Sequence, residues 1–281
     1  MPCLRPITVK DRNGHATQIR CRSCRECKIR DVKDWGFRNR AELRQSYNAY
    51  FITLTYSDES THFTGKLEIS HVREYLKTLR NKVGYLYDRG EKVPTIERNA
   101  SNLRFFAVGE YGDKFGRPHY HMILYNIPTF KHPQDKYFNE HKEVYKLISE
   151  SWKEGLVHVG DVNMSSINYV CKYIFKQDGF RIMSKNPAIG KVYLTEKTLM
   201  YHQADKRFYV TLENGIRQAL PEYYNKFLFD DADRCEHREK NQELRDDISR
   251  SAEQNIEELR KKILRQTAEE RIFNKLKTRE L

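Results

Sequence analysis

One stretch near the middle of the chain restricts the fold more than any other, FFAVGEYGDKFGRPHYHMILYN at residues 105–126. Two runs rich in apolar residues, Leu103–Val108 and His119–Tyr125, are joined by a polar loop with two glycines. This pattern predicts a β-hairpin. The second run contains His119 and His121, and residues two apart on a strand point to the same face of a sheet. Both imidazoles are therefore expected to reach one ion.

Two histidines and one carboxylate form a suitable ligand set for a divalent cation that keeps open coordination positions. Glu110, at the end of the first run, is placed to supply the carboxylate across the hairpin. The same residues are also compatible with a half-buried hairpin whose histidines only bond to their neighbours. A second element, further along the chain, favours the functional interpretation.

That second element is INYVCKYIFK, residues 167–176, which follows Ser165 and Ser166 and is predicted to be an amphipathic helix. At about 100° per residue, the apolar side chains fall on one side of the helix. We expect this side to dock on the sheet; it consists of Ile167, Val170, Cys171, Ile174 and Phe175. The other side presents two tyrosines together with two lysines, namely Tyr169, Lys172, Tyr173 and Lys176.

A divalent cation, Mg²⁺ or Mn²⁺, beside surface tyrosines and lysines suits phosphodiester chemistry. A tyrosine hydroxyl, with an ordinary pKa near 10, becomes a nucleophile when it is oriented and its charge is stabilised. Attack on phosphorus would give a 5′-phosphotyrosyl link and a free 3′-OH. Two tyrosines one helical turn apart would permit two successive transfers.

The overall charge favours a polyanionic partner, because the chain carries a formal charge of +12 and has a pI of about 9.3. Its 18 tyrosines and 14 phenylalanines could offer stacking surfaces for unpaired bases. No apolar run approaches the ~20 residues of a membrane span, and no N-terminal segment resembles a signal peptide. We therefore expect a cytosolic protein without a membrane partner. The absence of a Walker-type phosphate loop argues against an NTPase motor.

Four of the six cysteines lie near the start of the chain: Cys3, Cys21, Cys24 and Cys27. Three interpretations remain open for them. They could close a tetrahedral structural zinc site, or they could hold an iron–sulfur cluster, although the last cysteine and the proline of that motif are missing after Cys27. They could also be reduced thiols without a metal, because a disulfide framework is not expected in a reducing cytosol.

The remaining segments predict strands and helices that together give an α+β fold. FITLTY, residues 51–56, alternates apolar and polar residues as a strand with one buried face does. Helical spacing of apolar residues follows Ser70 and recurs over Asn139–Trp152, and Leu156–Val162 is predicted to be another strand. The chain divides into a basic, cysteine-rich segment 1–48, a main domain 49–229 that includes a turn at 221–224, and a charged tail 230–281. The tail is predicted to be helical or partly disordered.

Taken in order, four motifs resemble those of the HUH endonucleases, specifically the rolling-circle replication initiators of gokushovirus-type single-stranded-DNA phages (Microviridae). They are FITLTY (51–56), GEYGDKFGRPHYH (109–121), WKEGLVHVGDV (152–162) and YVCKYIFK (169–176). The resemblance implies a central antiparallel sheet that carries the histidine pair, an RRM-like or palm-like core for the HUH domain, with the tyrosine helix packed on the sheet. It implies His119 and His121 as metal ligands and Glu110 as the third. It also implies Tyr169 and Tyr173 as nucleophiles, assisted by Lys172 and Lys176.

For such an initiator, the resemblance implies nicking of the double-stranded replicative form at an origin in the host bacterial cytoplasm. Host polymerase and helicase would extend the 3′-OH and displace a strand, which the second tyrosine would release and circularise. Two alternatives remain open. One is a plasmid relaxase or transposase-like HUH nickase with the same chemistry. The other is a non-catalytic single-stranded-DNA-binding protein in which the histidines and tyrosines only pack and stack.

Overall fold

The structure is a computed structural model of the 281-residue chain. It describes residues 3, 5–10, 14, 16–98, 103–112, 115–173, 179–213 and 215–277. The strands are β1 (Ile7–Lys10), β2 (Ala16–Ile19), β3 (Ala49–Tyr56), β4 (Val93–Pro94), β5 (Arg104–Tyr111), β6 (Pro118–Tyr125), β7 (Phe130–Lys131), β8 (Gly155–Asp161), β9 (Phe180–Met183), β10 (Tyr209–Thr211) and β11 (Arg217–Ala219). The helices are α1 (Arg25–Gln45), α2 (Ile69–Arg89), α3 (Glu140–Ser149), α4 (Met164–Lys172), α5 (Glu196–Ala204), α6 (Glu222–Leu228) and α7 (Asp231–Lys277).

A five-stranded sheet with the order β8-β3-β6-β5-β9 forms the centre of the fold. Every neighbouring pair in it is antiparallel. The predicted hairpin is the β5–β6 pair, and β6 lies in the middle of the sheet between β3 and β5. The predicted α+β class with a central antiparallel sheet is confirmed.

The two faces of the sheet follow the period-2 pattern of the strands. Along β3, half-buried and buried residues alternate without exception. Thr53 lies opposite His121 and Thr55 opposite His119 in the β3–β6 register, so these four side chains share one face. The two faces can therefore be described separately.

Helices α2 and α3 cover the face that points away from the histidines. The apolar residues predicted after Ser70 do line the buried side of α2, and α3 contributes a second apolar stripe. The buried residues from these two helices include Val72, Leu76, Leu79, Val144 and Ile148. They pack on the even-numbered residues of β6, which are Tyr120, Met122 and Leu124. This layer forms the largest core cluster.

Helices α1 and α4 cover part of the histidine face. Ile123 and Tyr125 of β6 are fully buried in a cluster that includes three residues of α4. From α1, the ring of Trp35 packs on Phe106 of β5 with their centroids 5.1 Å apart. The sheet is thus sandwiched between two helical layers, and the layer on the histidine face contains the predicted tyrosine helix.

The C-terminal part of the main domain forms a third cluster on α1. Phe37 of α1 packs with Val210 of β10, with Leu220, which directly follows β11, and with Tyr224 of α6. The turn predicted at 221–224 is wrong: Pro221 is instead the N-cap of α6. Proline lacks the N–H that is unsatisfied at a helix start, and Glu222 suits the first turn, so this sequence begins a helix.

The charged tail is helical, since α7 extends from Asp231 to Lys277. Among the described residues, none of the helices combines the length and the apolar character that crossing a membrane requires.

Candidate active site

The site is built around His121, in the middle of the sheet. Its Nδ1 is 2.9 Å from Thr53 Oγ1 on β3, and its Nε2 is 2.8 Å from Glu110 Oε1 on β5. His121 and Glu110 are both buried, with 5% and 4% of their surface exposed. The two neighbouring strands therefore hold the ring from both sides.

His119 lies two residues earlier on β6 and is half-buried. Its Nδ1 is 2.9 Å from Thr55 Oγ1, so a threonine of β3 orients each histidine in the same way. The two imidazole centroids are 6.4 Å apart. A Cβ atom added to Gly112 would lie only 2.7 Å from His119 Nε2. The loop after β5 thus comes close to the ring because residue 112 is a glycine.

This donor set fits a divalent cation by its chemistry. Each imidazole is anchored through Nδ1 to a hydroxyl, an outer hydrogen bond that typically orients metal-binding histidines. His121 Nε2 and Glu110 Oε1 are only 2.8 Å apart, and an ion bound by both atoms would take the place of a proton shared by them. The ring proton of His121 would then be on Nδ1 and would be donated to Thr53. His119 and Glu110 face each other directly across the β5–β6 pair.

Helix α4 brings the two tyrosines to this histidine. A capping box formed by Asn163 and Ser166 starts the helix. The side of α4 that faces the sheet is fully buried, as the helical spacing predicts, and consists of Ile167, Val170 and Cys171. Burial of each of the two aliphatic side chains contributes about 1.5–3 kcal/mol. These contacts fix the rotation of α4 and therefore the side on which its tyrosines project.

The rings of Tyr169, Tyr173 and His121 form one aromatic group. Tyr173 stacks on His121 with centroids 5.0 Å apart, and Tyr169 meets His121 edge to face at 5.3 Å. The two tyrosine rings are 4.6 Å apart. Tyr169 is 42% exposed, so its ring is accessible as well as close to the histidine. Strand β6 and helix α4, whose residues His121 and Tyr169 are more than 40 positions apart in the sequence, thus contact each other through these rings.

Of the two predicted lysines, Lys172 lies within the described residues and Lys176 does not. Lys172 is the last residue of α4 and is exposed. It lines a surface pocket together with three basic residues of α1, Arg25, Lys28 and Lys33. Lys176, like Ile174 and Phe175, lies outside the described residues.

Sequence reasoning missed the side chains that position the histidines. Thr53 and Thr55 lie in the predicted strand, but the alternation of that strand does not reveal which strand pairs with it. Phe51, on the same face, stacks parallel to His121 with centroids 5.9 Å apart. His158 of β8 was also missed; it pairs with Thr53 in register and meets Phe51 edge to face at 6.4 Å. The signal for all four was present as polar or aromatic residues at alternate positions of two predicted strands.

The four N-terminal cysteines come together away from the sheet. Among the residues that the structure describes, they are the only group of three or more His, Cys, Asp or Glu residues whose possible ligand atoms all lie within 4.8 Å of one another. Hydrogen bonds from the Ser23 hydroxyl and from the Cys24 N–H lower the pKa of the Cys21 thiol to about 5. Burial raises the pKa of the Cys27 thiol to about 12.

Comparison with known proteins gives a consistent result. Residues 49–178 match the family model described as "Replication-associated protein ORF2/G2P". The matched range begins with β3 and continues past Tyr173, so it includes both histidines, Glu110 and both tyrosines.

Three phage proteins are similar over most of this chain. "Replication-associated protein VP4" of Bdellovibrio phage phiMH2K is 29% identical over 218 residues, which are 73% of this chain and 65% of that protein. "Replication-associated protein ORF2" of Spiroplasma virus 4 is 26% identical over 74% of this chain and 67% of its own length. "Replication-associated protein ORF4" of Chlamydia phage 1 is 28% identical over 74% of this chain and 53% of its own length.

The chain therefore spans between about half and two thirds of the length of these relatives. No solved structure matches it. By these matches the chain is similar to the replication-associated proteins of phages, and the resemblance to Microviridae replication initiators is confirmed.

Proposed function

We propose that this protein is a metal-dependent tyrosine endonuclease that initiates rolling-circle replication of a single-stranded-DNA phage. It would nick one strand of the double-stranded replicative form at the origin, and would later cut and religate the displaced strand into a circle. One observation supports this most strongly: Tyr169 of α4 and Tyr173, the C-cap residue of α4, contact the same histidine, which is itself hydrogen-bonded to a buried carboxylate.

The reaction is a phosphoryl transfer from DNA to tyrosine. The phenolic oxygen of Tyr169 or Tyr173 forms a bond to phosphorus, and the bond from phosphorus to the 3′ oxygen breaks. The tyrosine proton is released, and the 3′ oxygen takes up a proton to become the 3′-OH that primes synthesis. Mg²⁺ or Mn²⁺, held by His119, His121 and Glu110, would polarise the scissile phosphate and offset its charge. Because the phosphotyrosyl bond conserves the bond energy, the reverse step joins ends.

The two tyrosines suit two successive transfers. Their rings are 4.6 Å apart and both contact His121, so a phosphate bound beside this histidine is within reach of either. When one tyrosine holds the 5′ end of the parent strand, the other can cut the regenerated origin. The released 3′-OH then attacks the first phosphotyrosyl bond and closes the circle. Lys172, with Lys176 beyond the described range, would supply positive charge near the tyrosines.

The DNA path would continue over the start of α1. Arg25, Lys28 and Lys33 line one pocket with Lys172, and no acidic residue lines it. Each lysine that contacts a phosphate makes DNA binding more salt-dependent. The slope of the logarithm of the binding constant against the logarithm of the salt concentration changes by about 1 per contact. We propose that single-stranded origin DNA crosses this surface to the tyrosines, in the host bacterial cytoplasm, where host helicase and polymerase take over the 3′ end.

A covalent-adduct assay tests this function. Purified protein is mixed with Mg²⁺ or Mn²⁺ and labelled single-stranded fragments of the phage genome, and the products are separated on a denaturing gel. We expect a metal-dependent adduct with an origin fragment. It should be lost in His119→Ala, in His121→Ala and in the double variant Tyr169→Phe/Tyr173→Phe.

Tyr201→Phe is the matched control, because Tyr201 lies on α5 and is 41% exposed, almost as much as Tyr169. It should form the adduct as the unmodified protein does. If all fragments bind and none attaches, with every variant alike, the protein is a DNA-binding module and the proposal fails. If the protein cuts only a hairpin foot of a mobile element, the chemistry stands and the role belongs to a transposase-like nickase.

A further inference from the structure

The four cysteines near the chain start have a geometry that the nicking reaction does not use. Cys3 precedes β1, Cys21 and Cys24 lie between β2 and α1, and Cys27 lies in the first turn of α1. Two Sγ–Sγ distances, Cys3 to Cys24 and Cys21 to Cys27, are both 3.9 Å. The sulfurs therefore form a compact group of four, assembled from three separate parts of the backbone.

We propose that these four cysteines bind one structural zinc ion. A tetrahedral site with Zn–S bonds of about 2.3 Å has sulfur–sulfur edges of about 3.8 Å, because the edge of a tetrahedron is about 1.63 times its centre-to-corner distance. The observed 3.9 Å distances match this edge. Four thiolates close the coordination sphere, which is typical of structural rather than catalytic zinc.

The local backbone is arranged as thiolate ligands require. Arg22, between two of the cysteines, has a φ of 61°, in the left-handed region that a non-glycine residue seldom adopts. This turn lets the Cys24 N–H donate to Cys21 Sγ at 3.3 Å, while the Ser23 hydroxyl donates to the same sulfur at 3.4 Å. The Cys21 N–H donates to Cys3 Sγ at 3.3 Å. Such outer-shell donors orient metal ligands and stabilise their charge.

Charge also favours the zinc site at this position. Four thiolates and Zn²⁺ together leave two negative charges. The site lies at the N-terminus of α1, the end of a helix that attracts negative charge. The first turns of α1 carry two positive side chains, Arg25 and Lys28, against one acidic side chain, Glu26.

Two other states of the cysteines fit the distances poorly. A disulfide requires sulfurs about 2.05 Å apart, and the cysteines are free thiols at 3.9 Å. An iron–sulfur cluster distributes its cysteines over several iron atoms, which separates the sulfurs more widely than one shared ion does. The single-ion geometry therefore favours zinc over the iron–sulfur cluster, and the metal content of the protein decides between zinc and metal-free thiols.

The zinc ion would anchor the β1–β2 hairpin to the rest of the protein. The hairpin has little core of its own, because Ile7, Val9 and Ile19 are 49%, 38% and 44% exposed. A two-stranded hairpin is at best marginally stable alone. Cys3 enters this hairpin and Cys21 leaves it, so one ion fastens both ends to α1.

Metal content and thiolate spectroscopy of the full-length protein test this proposal. We expect one zinc ion per chain after purification without added metal. Replacement by Co²⁺ should give the strong thiolate-to-cobalt charge-transfer band and the visible bands of a tetrahedral four-sulfur site. Both signals should be lost in Cys24→Ser. Chelation should raise amide exchange over residues 5–10 and 16–22 and leave the sheet protected.

Two controls distinguish zinc bound by the four cysteines from metal bound elsewhere on the chain. Cys235→Ser removes an exposed cysteine of α7 and should leave zinc content and the cobalt spectrum unchanged. His119→Ala/His121→Ala should also leave both unchanged, because the proposed catalytic site contributes no thiolate.

Several results would overturn the zinc site. The proposal is wrong if the protein contains no zinc, if zinc remains in Cys24→Ser, or if iron and sulfide or disulfide-bonded cysteines are found. A cobalt titration of the unmodified protein decides the point even when Cys24→Ser does not fold. None of these outcomes depends on nicking activity.

Discussion

Gly112→Ala is a small change that tests whether the orientation of His119 matters. The added Cβ would lie 2.7 Å from His119 Nε2 and 3.1 Å from its Cδ2. The ring must move by about 0.7 Å to reach 3.4 Å, where ordinary contact begins. The backbone hydrogen bonds at Gly112 do not involve a side chain, so an added methyl group removes none of them. They join the Gly112 N–H to Arg117 O and the Gly116 N–H to Gly112 O.

The expected cost to folding is small and the expected cost to activity is large. The imidazole is the mobile end of a side chain, so the displacement costs about 1 kcal/mol, the value of its bond to Thr55. A catalytic group misplaced by about 1 Å can lose about 100-fold in rate. We therefore expect Gly112→Ala to reduce the rate of adduct formation by about 10- to 100-fold while its unfolding midpoint changes little.

Single-turnover adduct formation and urea unfolding measure these two quantities on the same samples. Gly84→Ala is the matched control: an added Cβ at Gly84, within α2, meets nothing within 4 Å. It should keep the full rate and gain up to about 1 kcal/mol of stability, because alanine favours helix. A Gly112→Ala variant that forms adduct at the unmodified rate would refute the role assigned to His119.

Three further changes test other parts of the structure. Thr55→Val removes the hydroxyl bonded to His119 Nδ1. We expect metal affinity to fall about 10- to 100-fold, so that half-maximal adduct formation in an Mn²⁺ titration needs a correspondingly higher Mn²⁺ concentration. Arg104→Ala leaves the buried carboxylate of Glu42 without its ion pair, and urea unfolding should show a loss of about 3–5 kcal/mol. Burial lowers the pKa of His202, so the unfolded chain binds its proton more readily; stability should fall as pH drops below about 6.5, and His202→Gln should flatten that decline.

Two of these changes have a matched control, and each of the three has a contradicting result. Thr211→Val, at an exposed threonine of β10, should leave the Mn²⁺ titration unchanged, and an equal effect of both valine variants would contradict an orienting role. Asp58→Ala removes an exposed partner of Arg117 and should cost less than about 1 kcal/mol; a similar cost for Arg104→Ala would show that its ion pair is not structurally important. If unfolding at low pH is the same with and without His202, its buried state does not govern acid stability.

The sequence predicts much of the site because the site uses regular elements. Period 2 in β6 places His119 and His121 on one face, and the apolar spacing of α4 determines which side of that helix docks. The pairing of the strands is a different matter. It depends on which faces bury together, so the roles of Thr53 and Thr55 emerge only from the register of β3 and β6.

Long-range packing accounts for what the sequence does not reveal. The place of α1 beside α4 depends on the fit of Trp35 against Phe106, two residues far apart in the chain. Arg104 and Glu42 are charged residues that a hydropathy pattern assigns to the surface, yet they form a buried pair between β5 and α1. The cysteines can be grouped by spacing, but the closeness of Cys3 to Cys24 depends on the hairpin between them.

Mapping the residue that becomes covalently attached to DNA tests the central claim most directly. The adduct formed with an origin fragment is digested with nuclease and protease, and the peptide that retains a nucleotide is sequenced by mass spectrometry. The account predicts a phosphotyrosyl bond at Tyr169 or Tyr173, and a shift to the other tyrosine when one is replaced by phenylalanine. A nucleotide on Tyr201 or on any residue outside α4 and its C-cap would contradict it.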